Sequence, residues 1–132
     1  MHELTRNILI AATAIAVPAL ALADGASWNC RNVDLEIGCG GGKCTVAEAH
    51  TPMDVHLGVG GISVCAYTGC WEGAPAAVVR SGGFVTFIGA ALPFSTNPDS
   101  VADIAVTVDT ASGVATILVA GLYATPAICT NE

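Results

Sequence analysis

Apolar and polar residues alternate along much of the chain, which is the pattern of half-buried β-strands. In the stretch that begins at Val33, the residues Val33, Leu35 and Ile37 fall on one face of an extended strand. Asp34 and Glu36 fall on the opposite face. Because successive side chains of a strand point to opposite faces, this stretch predicts one strand over residues 33–37 with a charged outer face.

Further strands are predicted wherever short stretches rich in Val, Ile and Thr lie between turn-forming residues. These strands cover residues 55–59, 62–67, 76–79, 84–88, 104–108, 114–119 and 122–128. Gly60 and Gly61 predict a tight hairpin, because glycine readily adopts the positive φ values of primed turns. Residues 109–113 predict a second turn, and residues 38–44 and 93–100 are expected to be loops.

Together these stretches predict an all-β fold of about seven or eight strands. Since each predicted strand follows the previous one after a short turn, the expected topology is a small antiparallel meander stapled by disulfides. A closed barrel and a two-sheet sandwich show the same alternation, so both architectures remain open. No linker or repeat divides residues 24–132, which are expected to form a single all-β domain.

The amino terminus departs from this pattern, because residues 8–22 form an apolar run. Ala21 and Ala23 place two small side chains at the spacing that signal peptidase accepts. We therefore expect residues 1–23 to be a signal peptide, the mature chain to begin at Asp24, and the protein to be periplasmic or secreted. The alternative is a membrane anchor, which usually has about 20 apolar residues and stronger flanking charge.

The charge balance of the chain is strongly acidic, with a net charge of −7. After residue 23 the basic side chains are Arg31, Lys43 and Arg80, against ten acidic ones. Such a surface repels phosphate backbones and anionic lipid head groups. We therefore expect no nucleic-acid partner and no membrane partner after signal removal, and we expect a basic protein or a cell-wall component instead. The oligomeric state is left open.

All six cysteines lie after the predicted cleavage site. An even number of cysteines in a short exported chain predicts a set of disulfides, here three. Short spacing favours Cys39–Cys44 and Cys65–Cys70, since a single turn brings each pair of sulfurs within reach. Cys30–Cys129 follows by elimination, and a meander that closes on itself would bring the first and last strands together.

Metal and phosphate sites compete with this interpretation. Two Cys-x4-Cys pairs with His50 and His56 between them resemble a zinc site, but zinc requires reduced thiolates, which an oxidising compartment disfavours. Residues 38–44 resemble a phosphate loop, yet Ile37 stands where that motif needs glycine and Cys44 where it needs Ser or Thr. We therefore predict neither a metal nor a cofactor.

No grouping of residues predicts catalysis. Asp34 and Glu36 share a strand face, but general acid–base work requires a carboxyl group that is desolvated. No serine lies in a Gly-x-Ser-x-Gly motif, and His56 shares a polar face with Asp54. The sequence therefore predicts a non-enzymatic interaction module. The alternatives are a cell-envelope hydrolase, a thiol-redox enzyme or a barrel that carries a small apolar ligand.

The densest cluster of unusual residues lies between Cys65 and Gly73. Tyr67, Trp71 and Glu72 within it are the candidate binding residues, because two aromatic rings and a carboxylate can stack on a sugar or anchor a protein partner. The alternative is that Trp71 and Tyr67 supply bulk to a core that is otherwise built from small side chains.

The same cluster carries a resemblance to known proteins. The chain after residue 23 resembles uncharacterised short, cysteine-containing exported proteins of bacteria, and in size and β-content it is distantly similar to the C-type lysozyme inhibitors. Trp71-Glu72-Gly73 lies where that family often has Trp-x-Lys-Gly, and the family's Ser-Gly-x-x-Tyr segment is absent. The resemblance implies an eight-stranded barrel that blocks a basic muramidase. It assigns no role to a particular residue.

Overall fold

The computed structural model describes residues 26–132. The predicted signal peptide, residues 1–23, and the predicted start at Asp24 lie outside the described residues. Within the described part, no helix has the length and apolar character needed to cross a membrane.

Eleven β-strands account for the regular structure of this part of the chain. They are β1 (Trp28–Asn32), β2 (Ile37–Gly40), β3 (Lys43–Val46), β4 (Met53–Gly58), β5 (Gly61–Ala66), β6 (Gly69–Gly73), β7 (Ala77–Ser81), β8 (Phe84–Phe94), β9 (Asn97–Asp109), β10 (Val114–Val119) and β11 (Tyr123–Asn131). Every pair of neighbouring strands is antiparallel. The predicted all-β antiparallel fold is confirmed.

Eight of the strands close into a barrel, in the order β1-β4-β5-β6-β8-β9-β10-β11, with β11 pairing back onto β1. Of the two architectures that the alternation allowed, the barrel is therefore the one adopted. The β2–β3 hairpin joins the barrel through one pair, Ala124 and Ile37, and β7 pairs with β8. Within the described chain, β3 and β7 each keep a free edge, and each carries one exposed cation, Lys43 or Arg80.

The barrel interior is the hydrophobic core. Alternate residues of each barrel strand point inward, as in β4, where Met53, Val55 and Leu57 are buried while Asp54 and His56 are exposed. The largest fully buried apolar side chains are Phe87, Leu57, Ile117, Val64, Val85, Val106, Val108 and Val119. Since most of them are valines, the core is built largely from small branched side chains that suit a pleated surface.

Three disulfides join residues that lie directly opposite each other on paired strands. They are Cys30–Cys129, Cys39–Cys44 and Cys65–Cys70, the pairs that spacing and elimination favoured. Cys30–Cys129 links the first and last barrel strands at the seam where the barrel closes. Three disulfides in so short a chain are typical of oxidising, extracytoplasmic compartments.

The strand predicted over residues 33–37 is wrong. The first strand lies earlier, at residues 28–32, and residues 33–36 cross from β1 to β2 without a strand partner. Val33 and Leu35 are 41% and 39% exposed, so the alternate apolar residues do not face the core. Alternation reports an amphipathic segment, but a strand also needs a neighbour that accepts and donates its backbone hydrogen bonds.

The loop predicted over residues 38–44 is also wrong, because this segment forms the β2–β3 hairpin. Gly41 and Gly42 have φ values of 57° and 77°, as a type I′ turn requires. The same turn places Cys39 opposite Cys44. The glycines that suggested an irregular loop are therefore the residues that allow a tight hairpin.

The long connection predicted over residues 93–100 is a third error. β8 continues to Phe94 and β9 begins at Asn97, which leaves a turn of two residues. Prolines in the segment suggested a loop, since proline cannot donate to a strand ladder. The register shifts between Pro93 and Phe94 and again between Gly89 and Leu92, and these irregularities let the strands continue through the segment.

Of the two hairpins that share β5, one was predicted and the other was not. The β4–β5 hairpin is present, but neither Gly60 nor Gly61 has the positive φ on which that prediction rested. The strand β6 was not predicted, because it begins and ends with glycine, a residue that weakens strands.

The turn predicted at residues 109–113 is confirmed. The Asp109 carboxylate accepts hydrogen bonds from the backbone N–H groups of Ala111, at 2.9 Å, and Ser112, at 3.3 Å. These bonds, the one from Ala111 first, lower the pKa of the Asp109 carboxyl group. The N–H of Gly113 donates to the carbonyl of Asp109 at 2.8 Å and closes the turn.

Candidate functional site

A groove crosses the outer faces of β11, β1, β4 and β5. It consists of two depressions, of about 640 and 270 Å³, that share Arg31, Asp54 and Cys65. We call it the polar groove, and its polar lining residues are Asn29, Arg31, Asn32, His50, Asp54, His56, Ser63, Tyr67 and Thr130. Because most of them lie on strands, the groove has a rigid floor.

Strand register sorts the outward side chains of the polar groove into two parallel rows. One row consists of Thr130, Asn29, His56 and Ser63, and Glu72 of β6 continues it. The other row consists of Ile128, Arg31, Asp54 and Cys65. Directly opposed residues on neighbouring strands have Cβ atoms about 5 Å apart, so one extended ligand could contact a whole row.

Hydrogen bonds between strands orient the first row. His56 Nδ1 lies 2.8 Å from Asn29 Oδ1, which ties β4 to β1. The hydroxyl of Ser63 donates to Glu72 Oε1 at 3.1 Å, which ties β5 to β6. The four side chains therefore present their remaining donors and acceptors from fixed positions.

An ion pair lies in the middle of the second row. Arg31 Nε is 2.9 Å from Asp54 Oδ1, and the two side chains are 81% and 67% exposed. An ion pair this open to water adds little to stability, about 0 to 1 kcal/mol. Both groups therefore remain available to exchange this contact for one with a ligand.

The far end of the groove is built from the β5–β6 hairpin and the segment before β4. Tyr67 lies at the hairpin turn, and its Oη is 3.1 Å from Thr51 Oγ1. The N–H of Thr51 donates to Glu36 Oε2 at 2.8 Å. His50 Nε2 lies 3.3 Å from Asp34 Oδ1. Asp34 and Glu36, which were predicted to lie on a strand, therefore connect the segment between β1 and β2 to the segment before β4.

Behind this end of the groove lies the half-buried Tyr123. Its hydroxyl is buried and has no hydrogen-bond partner among the described residues. Burial, with smaller contributions from Tyr67 and Glu36, raises the pKa of this hydroxyl. Tyr123 therefore stays neutral, and it packs against the barrel core as a largely apolar side chain.

The structure separates the three residues predicted for the site. Tyr67 lines the groove and is 76% exposed, and Glu72 extends its polar row. Trp71 is 6% exposed, and its ring centroid lies 4.9 Å from that of Phe94 inside the barrel. Trp71 therefore fills the core and does not face a surface ligand, whereas Tyr67 contributes nothing to the core.

Most members of the groove were not among the sequence candidates. Asn29, His56, Ser63 and Thr130 come from four strands, and two of them, Asn29 and Thr130, lie near opposite ends of the sequence although they are paired in the sheet. Each is an unremarkable polar residue on the outer face of its strand. Only the register between strands brings them together, and register between distant strands leaves no local signal in the sequence.

The charge around the polar groove is negative. Asp54 lines the groove. Asp34 and Glu72 each form a contact with a residue that lines it. Glu36 accepts a hydrogen bond from Thr51, which follows the lining residue His50 in the sequence. Arg31 is the one Lys or Arg side chain that lines it. Four carboxylates against one guanidinium attract a cationic ligand, and a concave surface concentrates that field.

The ionisable side chains of the groove are open to water. His56, Asp54 and Glu72 are all exposed. The sulfur atoms of Cys65 and Cys70 lie close to the Glu72 carboxylate, but both sulfurs belong to one disulfide. A disulfide offers no thiolate for a metal ion.

Tyr67 occupies a backbone conformation that tyrosine rarely adopts. It is the first of two residues in the turn between Ala66 and Gly69, and its φ is 58°. A positive φ at this position is normally taken by glycine, and a larger side chain there costs about 1 to 2 kcal/mol. Strain of this kind is concentrated at functional sites, which makes Tyr67 the leading candidate among the three predicted binding residues.

We expect Tyr67→Gly to raise the free energy of unfolding by about 1 kcal/mol, because relief of the backbone strain outweighs loss of the single hydrogen bond to Thr51. The matched control is Thr68→Gly at the next turn residue, whose φ is not positive. That variant should be less stable than the parent. Urea denaturation compares them, and equal destabilisation by both variants would show that Tyr67 is unstrained.

No protein-family model matches the sequence, and no curated protein or solved structure matches it either.

Proposed function

We propose that this protein is a periplasmic or secreted binding module, without enzymatic activity, that engages a basic protein through the polar groove. The observation that carries the proposal is the excess of carboxylates around a groove with a strand-built floor. Export is supported by the apolar amino-terminal segment and by the three disulfides.

The arrangement suits a partner that inserts Lys or Arg side chains. A cation of the partner that enters beside Arg31 can replace Arg31 as the ion-pair partner of Asp54. The neighbouring polar row provides the Glu72 carboxylate and the Asn29 amide as further hydrogen-bonding groups. Tyr67 at the far end adds an exposed ring that can pack on an aliphatic stem or a guanidinium plane. A basic muramidase, the target implied by the resemblance to C-type lysozyme inhibitors, has this chemistry.

Electrostatic attraction should accelerate the encounter with a basic partner, most strongly at low salt. An acidic module with a net charge of −7 accelerates association with a basic partner, and screening by salt reduces this effect. At physiological ionic strength the Debye length is about 8 Å, so attraction between exposed charges acts only at short range. Binding through the polar groove is therefore expected to weaken as salt rises.

The test is a calorimetric titration of the mature chain with a C-type lysozyme, at low salt and at physiological salt. We expect Asp54→Asn to weaken binding roughly five-fold, which corresponds to about 1 kcal/mol. Asp99→Asn is the matched control, since it makes the same chemical change on β9, outside the groove. It should change binding less than about two-fold.

Three outcomes contradict the proposal. Equal losses in the two variants would mean that net charge alone governs binding. No binding at low salt to the lysozyme or to polylysine would remove the basic partner. Turnover of cell-wall polymer or of thiol substrates by the purified protein would replace the binding module with the hydrolase or redox alternative.

A further inference from the structure

Both histidines of the described chain line the polar groove. His56 lies on β4 and lines the larger depression, whereas His50 lies in the segment before β4 and lines the smaller one. Histidine is the side chain whose charge ordinarily changes between about pH 5 and pH 8. Among residues 26–132, protonation of histidine therefore adds positive charge to the groove and to no other surface.

His56 is oriented in the first polar row by its contact with β1. Its Nδ1 lies 2.8 Å from Asn29 Oδ1. Because a carbonyl oxygen only accepts hydrogen bonds, Nδ1 carries the proton of the neutral ring, and Nε2 is the atom that takes up a second proton. The charged side chains around this ring in the two rows are Arg31 of β1, Asp54 of β4 and Glu72 of β6. Protonation therefore places a cation among them without breaking the bond to Asn29.

His50 contacts a carboxylate at the far end of the groove. Its Nε2 lies 3.3 Å from Asp34 Oδ1, and the two side chains are 25% and 95% exposed. The other titratable or charged groups on the elements around this ring are Arg31 of β1, Glu36 of the segment before β2, Asp54 of β4 and Tyr67 of the β5–β6 turn. When the ring is protonated, its contact with Asp34 becomes an ion pair. Protonation of His50 thus adds a cation and also occupies a carboxylate.

These two protonation steps change the charge that a basic partner meets. With neutral histidines, four carboxylates stand against one guanidinium, and with both histidines protonated they stand against three cations. Side chains two residues apart on a strand lie about 7 Å apart on one face, so a partner cation bound at Asp54 lies near the His56 ring. One added like charge at this separation in water weakens binding roughly two- to three-fold.

We propose that the polar groove holds its basic partner at neutral pH and releases it on acidification, because protonation of His56 and His50 reduces the field that attracts the partner. This inference rests on the proposed function and adds its regulation. The coupling is reciprocal, since a bound partner cation also disfavours protonation of the two rings. Binding at a pH where the histidines are partly protonated should therefore release protons.

Calorimetric titration with a lysine homopeptide at low salt tests the proposal, because lysine stays charged at both about pH 8 and about pH 5. We expect the parent protein to bind roughly five-fold more weakly at the lower pH. The double variant His50→Gln with His56→Asn places neutral amides near the positions of Nε2 and Nδ1, and it should bind equally at the two pH values.

The matched control is the double variant His50→Arg with His56→Arg, which carries the added charge permanently. At the higher pH it should bind as weakly as the parent protein binds at the lower pH. A second measurement is proton release, obtained from titrations in two buffers with different heats of ionisation. The parent protein should release protons on binding, and the neutral double variant should not.

The outcomes separate this inference from the proposed function. Parent binding that is equally strong at both pH values would overturn the inference and leave the proposed function intact. An undiminished pH dependence in the neutral double variant would also overturn it, because carboxylates would then be responsible. Absence of binding at both pH values would remove the proposed function, and this inference with it. Circular dichroism at both pH values verifies that the variants share the parent fold.

Discussion

Replacing Cys30 and Cys129 together by alanine is expected to lower the melting temperature by roughly 20 °C, which makes this the most destabilising removal of a disulfide. The two cysteines are 99 residues apart, whereas each of the other pairs spans 5. In the chain-entropy description, a loop of about 100 residues contributes about 4.7 kcal/mol and a loop of about six contributes about 2 kcal/mol. The long bond therefore restricts the unfolded chain most.

The position of this disulfide adds to its effect. Cys30 and Cys129 are 2% and 5% exposed and face the core at the seam between β1 and β11. Without the bond, the seam is held by the ladder of backbone hydrogen bonds and by packing. The matched control is Cys39→Ala with Cys44→Ala, which also removes two sulfurs. Thermal unfolding by circular dichroism compares them, and an equal fall in melting temperature would contradict the loop-length argument.

Gly113→Ala is expected to reduce the free energy of unfolding by about 3 kcal/mol or more, the second large effect. Gly113 has a φ of 74°, and a methyl group there would overlap the carbonyl oxygen of Cys129. That oxygen cannot move freely, because the N–H of Cys129 donates to the Gly113 carbonyl at 2.7 Å. The substitution therefore combines backbone strain with displacement of β11.

Gly121→Ala separates these two contributions. Gly121 has nearly the same φ, 75°, but an added methyl group would meet no atom within 4 Å. This variant should lose only the cost of a positive φ, about 1 to 2 kcal/mol. Urea denaturation of both variants gives the difference, which measures the clash with β11. If the two variants lose the same stability, the close approach of Gly113 to Cys129 does not matter energetically.

Local signals in the sequence were sufficient where a structure depends on neighbouring residues. The turn that begins at Asp109 was predicted because Asp, Ser and Gly bond or bend their own backbone. The strand at 55–59 was predicted because its apolar residues alternate, although β4 begins two residues earlier. The strand at 114–119 was predicted as an apolar stretch that follows this turn, and β10 has the same bounds. The long disulfide followed from elimination and from the need to close the meander.

Signals between distant strands were absent from the sequence. Residues 33–37 alternate as well as any strand, yet residues 33–36 belong to no strand and only Ile37 pairs in the sheet. Conversely, Asn29 and His56 adjoin only because β1 inserts between β4 and β11. Among the candidate binding residues, alternation within β6 separates Trp71 from Glu72, but the flanking glycines concealed that strand. The groove could therefore not be predicted, because it depends on the order of the strands in the sheet, which the periodicity of apolar residues does not encode.

The free edges of β3 and β7 have a consequence for how the protein behaves at high concentration. An unpaired edge can template the addition of strands from other molecules, which is how amyloid-like aggregates grow. Lys43 and Arg80, two of the few cations in the chain, occupy these edges. A copy that added itself to the same strand would bring a second cation beside the first, and both would lose water. Lys43 and Arg80 therefore oppose strand addition at the two free edges where aggregation of this acidic barrel would begin.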